Sequence, residues 1–223
     1  MSVVRIICEG DTELRFIRGV LAPHLRAFNV FAKETLPGEQ GGNIKYSRMK
    51  PIIVRALKQP RVDFVTTFFD YYGRGRDFPG DTTRAGGDPE SMARQIESEV
   101  EARIAAEFGN NFDVRRFRCF ITMHEFEGLL FSDPAALARG LKMPGIGPAL
   151  RDIRDRFESP EHINDSRETA PSKRLLALCE GYDKVLAGNV AALEVGLDAM
   201  KDQCLHFRKW VEWLEGLGPS GHT

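Results

Sequence analysis

The apolar residues in the first part of the chain alternate between strand-like and helix-like spacing. Val3 to Cys8 and Val30 to Leu36 are β-rich runs, and Val62 to Phe69 is β-branched and aromatic almost throughout. Such continuous apolarity favours a strand that is buried on both faces, as in a parallel sheet. Apolar residues at three- and four-residue spacing follow the first two runs, over residues 14–25 and 44–57, and predict helices.

The same alternation continues to about residue 131. Residues 73–89 are rich in glycine and proline and predict a long loop. Met92 to Phe108 has an apolar residue every four positions and predicts a helix, and Val114 to Thr122 predicts a fourth strand. The order of elements therefore predicts an α/β fold, in which helices flank a mostly parallel sheet.

The pattern changes after Phe131, where only short helical stretches follow. The predicted helices are Leu137–Leu141, Ala149–Phe157, Lys173–Cys179, Ala191–Leu197 and Cys204–Leu214. We therefore predict an α/β domain over residues 1–131, a helical extension over 132–217 packed on it, and a flexible tail over 218–223.

Composition excludes several classes of protein. The chain has 31 Lys and Arg against 32 Asp and Glu, so binding nucleic acid by bulk positive charge is excluded. An apolar run long enough to span a membrane is absent, and the first residues do not resemble a secretory signal. The four cysteines form no CxxC pair, which argues against zinc fingers and disulfide scaffolds and favours a cytoplasmic protein.

Acidic residues follow three of the predicted strands. Glu9 and Glu13 come after the first strand, Asp70 after the third, and Glu125 and Glu127 after the fourth. Because the carboxyl ends of parallel strands meet at one edge of a sheet, Glu9, Asp70 and one of the last two glutamates should converge. Clustered carboxylates repel one another, and a hard cation such as Mg²⁺ or Mn²⁺ relieves that repulsion.

Structural explanations of these residues remain open. Glu9 and Asp70 could cap the turn or helix that follows each strand, and Glu13 could complement the dipole of the first helix. His124 could be a metal ligand, a base or a buried histidine with its hydrogen bonds satisfied. Glu125 and Glu127 face the same side only on a strand, so on a helix only one of them would reach the site.

Several cations and one aromatic residue are further candidates. Arg74 and Arg76 in the long loop could contact phosphates or could be solvated surface charges. Tyr72 could stack on a base or pack in the core. Lys173 and Arg174 stand at a predicted helix start, where a cation opposes the helix dipole, which makes Lys173 a candidate functional residue. The last predicted strand also carries Arg115, Arg116 and Arg118.

Together these motifs resemble those of Toprim-type domains, the fold shared by topoisomerases, primases and OLD-family nucleases. The opening CEGDTELRFIRGVLAPHL resembles the EG-x-TE start of that fold, and HEFEGLLF resembles its later glutamate-containing segment. The similarity is closer to a bacterial family of Toprim relatives classed as a domain of unknown function. It is carried by VTTFFDYYG, DFPG, HEFEGLLFSDP, INDSRETAPSKR and CLHFRKWVEWL, in this order.

The resemblance implies a role for each matching residue. Glu9 would match the glutamate that binds metal or acts as an acid or base, and Asp70 the first aspartate of a D-x-D motif. Tyr72 stands where the second aspartate would be, which removes one carboxylate. Glu127 would match the later glutamate, with Glu125 as the alternative. A further cation would neutralise phosphate charge, and Lys173 is the candidate for this.

Three functions follow from the residues and the resemblance. The first is a Mg²⁺- or Mn²⁺-dependent nuclease acting on DNA or RNA, with a possible place in defence against phage. The second is a non-catalytic effector or regulatory subunit of an ABC/SMC-type ATPase, because some relatives are encoded beside such ATPases. The third is a phosphate-transfer enzyme for a small nucleotide, over which the loop 73–89 could close. The oligomeric state is left open.

Overall fold

The computed structural model describes residues 1–37, 44–80, 88–164 and 167–218, with only the backbone described at Arg167. Its strands are β1 (Ser2–Cys8), β2 (Val30–Thr35), β3 (Phe64–Asp70), β4 (Phe117–Arg118) and β5 (Ile121–Thr122). Its α-helices are α1 (Asp11–Phe16), α2 (Ala22–Leu25), α3 (Tyr46–Leu57), α4 (Pro89–Ala106), α5 (Phe126–Leu130), α6 (Pro134–Gly140), α7 (Gly147–Arg154), α8 (Pro171–Leu178), α9 (Ala187–Val195), α10 (Leu197–Gln203) and α11 (Leu205–Glu215). Most of the predicted loop 73–89 beyond Gly80, and the predicted tail beyond Gly218, lie outside the described residues.

The strands form one parallel sheet in the order β2-β1-β3-β4, and β5 also pairs with β3. β1 and β3 are neighbours in the middle of the sheet, so each has a strand on both sides. This position explains why both are almost continuously apolar. The predicted α/β class, with a parallel sheet between helices, is confirmed.

The predicted fourth strand, Val114 to Thr122, is broken in its middle. The hydroxyl of Thr67 accepts a hydrogen bond from the backbone N–H of Phe120 at 2.8 Å and lies 2.9 Å from the backbone oxygen of the same residue. Carboxylates of Glu97 and Glu101 on α4 accept from the backbone amides on either side of it, each at 2.9 Å. Side chains therefore take the place of the sheet hydrogen bonds here, and β4 and β5 are short.

The start of that predicted strand is also different. Residues 114–116 form a 3₁₀ turn, because the side chain of Asp113 accepts from the backbone N–H of Arg115 at 3.0 Å and turns the chain. The prediction that Arg115 and Arg116 lie on a strand is therefore wrong, whereas Arg118 does lie in β4.

Each face of the sheet is covered by its own apolar core. The first core joins β1 to the helical third of the chain, and the second joins β3 to α3 and α4. In the first core Trp210 of α11 stacks on Phe68 of β3 at 5.2 Å and on Phe120 at 4.4 Å between ring centroids. The helices after residue 131 therefore pack directly on the sheet.

A buried polar contact also joins α11 to the α/β layer. His206 of α11 lies 2.8 Å from Glu97 of α4, and both side chains are almost fully buried. The indole N–H of Trp210 donates to the hydroxyl of Thr66 in β3 at 3.0 Å. Within the described residues, the structure has no helix that is both long and apolar enough to span a membrane.

Candidate active site

Acids from neighbouring strands meet at the carboxyl edge of the sheet. Glu9 directly follows β1, and Asp70 is the last residue of β3. One carboxylate oxygen of Glu9 accepts a hydrogen bond from the backbone N–H of Asp70 at 2.9 Å. The backbone of the central strands therefore positions both carboxylates, and Glu9 and Asp70 are only 8% and 5% exposed.

The next acid reaches this edge from helix α5. The Oδ1 atom of Asp70 accepts from the backbone N–H of Phe126 at 2.8 Å, which ties the end of β3 to the start of α5. Glu127, one residue further along α5, is completely buried. Its Oε1 atom lies 3.5 Å from the hydroxyl of Tyr182. Glu9, Asp70 and Glu127 are thus brought together, as the sequence predicted.

A lysine that the sequence analysis did not single out lies among these acids. The Nζ atom of Lys184 is 2.9 Å from Oε2 of Glu127 and 3.9 Å from Oδ2 of Asp70. Lys184 stands in the turn before α9, in a stretch without regular structure. Sequence pattern alone held no sign of its role, because the contact joins segments more than 50 residues apart.

The predicted lysine lies elsewhere. Lys173 is exposed on the first turn of α8, and in the described part of the chain it forms no ion pair with these acids. Its neighbour Arg174 donates from Nε to the backbone oxygen of Thr169 at 2.7 Å and lies over the ring of Phe157 at 5.1 Å. Arg174 therefore stabilises the start of α8.

Glu13 combines a structural contact with a place in the cluster. Its Oε2 atom accepts from the backbone N–H of Gly10, the N-cap of α1, at 2.9 Å and so stabilises the start of that helix. The side chain is only 4% exposed, and its charge raises the pKa values of both Glu9 and Asp70. Glu13 is thus a fourth carboxylate at this edge.

Burial and mutual repulsion disfavour the charged forms of these acids. Burial first, and the charge of Glu13 second, raise the pKa of Glu9 from 4.5 to about 7. Burial also raises the pKa of Glu127 to about 7, against the attraction of Lys184. The same causes hold the pKa of Asp70 well above its usual value. Burial opposes the charge of Lys184, but the surrounding acids outweigh it, and its pKa is raised.

Glu125 and His124 lie next to this group. The charge of Glu125 raises the pKa values of Glu9 and Glu127. The carboxylate of Glu125 accepts from the backbone N–H of Ser172 at 3.0 Å and so ties the start of α5 to α8. His124 lies between Tyr71 and Tyr72, with 5.5 Å between ring centroids in both cases. Burial lowers the pKa of His124 to about 4, so its ring is neutral at pH 7.

The predicted arginines lie beside the acids. Arg74 donates from Nε to the backbone oxygen of Tyr71 at 2.9 Å, and its guanidinium lies 4.1 Å from the centroid of that ring. Arg76 is exposed and lines, with Tyr72 and Arg74, a cavity of about 740 Å³. Gly73, which precedes Arg74 in the chain, packs against Glu9, because a Cβ atom there would overlap the carboxylate of Glu9.

The donor atoms suit a hard cation, but the arrangement is not a formed metal centre. Carboxylate oxygens are the ligands that Mg²⁺ prefers, and the raised pKa values show that positive charge is favourable here. Among the described residues, however, no group of three or more acidic, histidine or cysteine side chains has an arrangement that could hold a metal ion. Lys184 supplies the positive charge between Asp70 and Glu127.

Comparison with known proteins identifies the family. A family model described as "Domain of unknown function (DUF4276)" matches residues 8–215. The chain belongs to this family. The match covers the sheet from the end of β1 onward and the helical third, so the predicted membership of a domain-of-unknown-function family is confirmed.

One solved structure is similar to this member of the DUF4276 family along almost its whole length. It is the C-terminal region of the OLD protein of Xanthomonas campestris pv. campestris. The two chains are 15% identical over 97% of this chain and 96% of the other, with a TM-score of 0.42. A likeness this low does not establish a Toprim fold, which stays a prediction. No curated protein matches the chain significantly.

Proposed function

We propose that this protein is a nuclease that depends on Mg²⁺ or Mn²⁺ and hydrolyses phosphodiester bonds in DNA or RNA. The observation that carries the proposal is the meeting of Glu9, Asp70 and Glu127 beside Lys184, at the carboxyl edge of a parallel sheet. Ligand sites of open α/β sheets lie at this edge. Buried acids with strongly raised pKa values are typical of functional sites.

Glu9, Asp70 and Glu127 are the residues that would hold the metal, once their side chains turn from their present arrangement toward a common ion. A divalent cation bound there would supply positive charge for the phosphate and lower the pKa of a bound water. Glu13 lies within the same group of charges, so it can compensate for the carboxylate that Tyr72 replaces. The loss of the second aspartate therefore does not leave the cluster short of negative charge.

The side chains themselves can position and neutralise the substrate. Lys184 holds a positive charge at the acids, where it would offset the charge that develops on a phosphate oxygen. Burial raises the pKa of Glu127 to about 7, so a cation at this position would favour its charged form at neutral pH. Tyr182 lies within 3.5 Å of that carboxyl group and keeps it oriented.

Cleavage of labelled single-stranded and double-stranded oligonucleotides tests the proposal. We expect cleavage with Mg²⁺ or Mn²⁺, none with EDTA, and at least a hundredfold slower cleavage by Glu9→Gln and Asp70→Asn. Glu180→Gln is the matched control, because Glu180 is exposed and lies outside the cluster. Variants that cut as fast as the parent protein would show that the activity arises elsewhere. Reaction with free nucleotides but not with oligonucleotides would favour the phosphate-transfer enzyme for a small nucleotide.

The two lysines are compared in the same assay. Lys184→Met should slow cleavage at least tenfold because it removes the cation next to Glu127 and Asp70. Lys173→Met should have no effect, since that side chain is exposed on α8. The reverse result would restore Lys173 as the functional cation. If the nuclease activity is established, infection of bacteria with and without the gene tests a role in phage defence.

A second function, a subunit that docks on an ABC/SMC-type ATPase, is favoured by one observation. Leu186, Val190 and Leu193 recur at helical spacing along α9, and they are 59%, 46% and 61% exposed. Exposed apolar stripes of this kind mark interaction surfaces. Co-purification with an ATPase from a neighbouring gene, lost in Leu186→Asp/Leu193→Asp, would support this function. Calorimetry without Mg²⁺ binding would weigh against the nuclease.

A further inference from the structure

The near-neutral chain carries one strongly basic segment. Between Ile44 and Val62 the sequence has six Lys and Arg residues and no acidic residue. Lys45, Arg55 and Lys58 are exposed along α3 and its two ends. Within the described part of the chain, Lys50 is the cation of this segment that pairs with a carboxylate. Its Nζ atom lies 2.5 Å from Oε1 of Glu107. The overall charge balance therefore hides a local positive surface.

A groove runs along this basic segment. The cavity lined by Tyr72, Arg74 and Arg76 also contains Lys45 and Ser47 in its wall. A second cavity of about 730 Å³ begins at the same Ser47 and continues past Arg55 to Lys58. The two cavities share Ser47, and the wall of the second also contains Glu107, which pairs with Lys50. We call these two adjoining cavities the groove.

The one acid in the first cavity is held by the helix. The carboxylate of Asp77 accepts from the backbone N–H groups of Tyr46 and Ser47, both at 3.0 Å, and from the Ser47 hydroxyl at 2.8 Å. These contacts cap the start of α3 and occupy both oxygens of Asp77. They also lower the pKa of Asp77 and keep it charged, so it offsets one of the three positive charges of Lys45, Arg74 and Arg76 in this cavity.

Backbone hydrogen bonds connect the groove to the acid cluster. Ile44 donates to the backbone oxygen of Gly73 at 2.8 Å, and its own oxygen accepts from Gly75 at 2.7 Å. Gly73 lies against the carboxylate of Glu9 on its other side. These hydrogen bonds hold the start of α3 against the segment that carries Arg74 and Arg76. Through Gly73, the same segment is held against Glu9.

We infer that this groove is the surface on which a strand of nucleic acid lies while one of its phosphodiester bonds is at the acid cluster. The inference rests on the proposed function and makes the substrate a polymer. From Ser47 to Lys58 the helix rises about 17 Å, at roughly 1.5 Å per residue. At about 3.4 Å per nucleotide of a helical strand, this length accommodates about five nucleotides.

Binding is measured in EDTA, so that the result does not depend on cleavage. The probes are a fluorescein-labelled 20-nucleotide single strand and its duplex, followed by anisotropy from 50 to 200 mM KCl. The test variant is Lys45→Gln/Arg55→Gln/Lys58→Gln. The control, Lys33→Gln/Lys142→Gln/Arg151→Gln, removes equal charge from exposed sites outside the groove. Both variants should keep the far-ultraviolet circular dichroism and thermal midpoint of the parent.

Each phosphate contact adds about 0.7 to 0.9 to the slope of log Kd against log salt. Removal of three contacts should therefore lower the slope by about 2. Between 50 and 200 mM KCl, the Kd of the test variant should then rise about 20-fold less than the Kd of the parent protein. The control variant should keep the parent slope.

Equal slopes in both variants, or no oligonucleotide binding by the parent protein, would overturn the inference. Binding to vesicles with 30% phosphatidylserine, but not to oligonucleotides, would also overturn it, by identifying a membrane surface. Cleavage with Mg²⁺ alongside any of these results would leave the proposed function standing without the groove. Oligonucleotide binding that is weakened in the test variant but not in the control, without any cleavage, would support the groove and count against the proposed nuclease.

Discussion

Replacement of Glu9 by Gln tests whether the acid cluster destabilises the folded protein at neutral pH. Burial and the neighbouring Glu13 raise the pKa of Glu9 from 4.5 to about 7. Between these values the folded protein binds a proton that the unfolded chain has released, so stability falls as the pH rises through this range. A rise in pKa of this size corresponds to about 3 kcal/mol.

The glutamine variant lacks this penalty and keeps part of the local structure. Its amide oxygen can still accept from the backbone N–H of Asp70, but the attraction between Glu9 and Lys184 is lost. We therefore expect Glu9→Gln to be more stable than the parent by about 1–3 kcal/mol at pH 8, and by less than about 1 kcal/mol at pH 5. Greater stability with loss of cleavage is the usual sign of a strained functional site.

Urea unfolding followed by circular dichroism, at pH 5 and pH 8, measures these differences. The comparison of variant with parent reports on Glu9 together with Asp70, whose pKa Glu9 raises, whereas Glu9 is not among the causes that shift the pKa of Glu127. Glu180→Gln, at an exposed position, should change stability by less than about 0.5 kcal/mol at either pH. If Glu9→Gln gains no more stability at pH 8 than at pH 5, Glu9 does not titrate as described.

Two further substitutions test the packing around the site. Gly73→Ala should displace the Glu9 carboxylate, reduce cleavage at least tenfold and cost about 1–3 kcal/mol in urea unfolding. Gly19→Ala is the control, because a Cβ atom there meets open space, and it should be neutral or stabilising by about 0.4–1 kcal/mol. Equal changes in stability for the two alanine variants would refute the contact between Gly73 and Glu9. His206→Ala removes one partner of the buried Glu97, which keeps Arg94 and the backbone N–H of Ile121, and should cost about 1–3 kcal/mol by the same measurement. A loss below about 1 kcal/mol would show that this pair contributes little.

The strands and their acids could be predicted because the signals are local. Residues 3–8 and 62–69 are mostly apolar or β-branched, and an acid follows each run, so Glu9 and Asp70 could be placed at strand ends. Parallel neighbours then bring them to the same edge. The choice between Glu125 and Glu127 needed the start of α5 at Phe126, which the pattern did not predict.

The rest depends on contacts between distant segments. Lys184 lies in an irregular turn, and only the packing of α9 brings its side chain to Glu127. The predicted strand over residues 114–122 has the right side chains for a sheet. It is interrupted because Glu97 and Thr67, which are far away in sequence, take its hydrogen bonds. Local preference is overridden by such tertiary contacts.

The separation of the core into two faces has a consequence for partly unfolded forms of the protein. Glu127 belongs to the side covered by the helical third, whereas Gly73, which bounds the carboxylate of Glu9, is hydrogen-bonded to the segment leading into α3. Loosening of either layer would remove one wall of the cluster while the other layer kept its structure. The acid cluster therefore exists only where both layers are folded at once, and its assembly reports on the cooperativity of the whole chain.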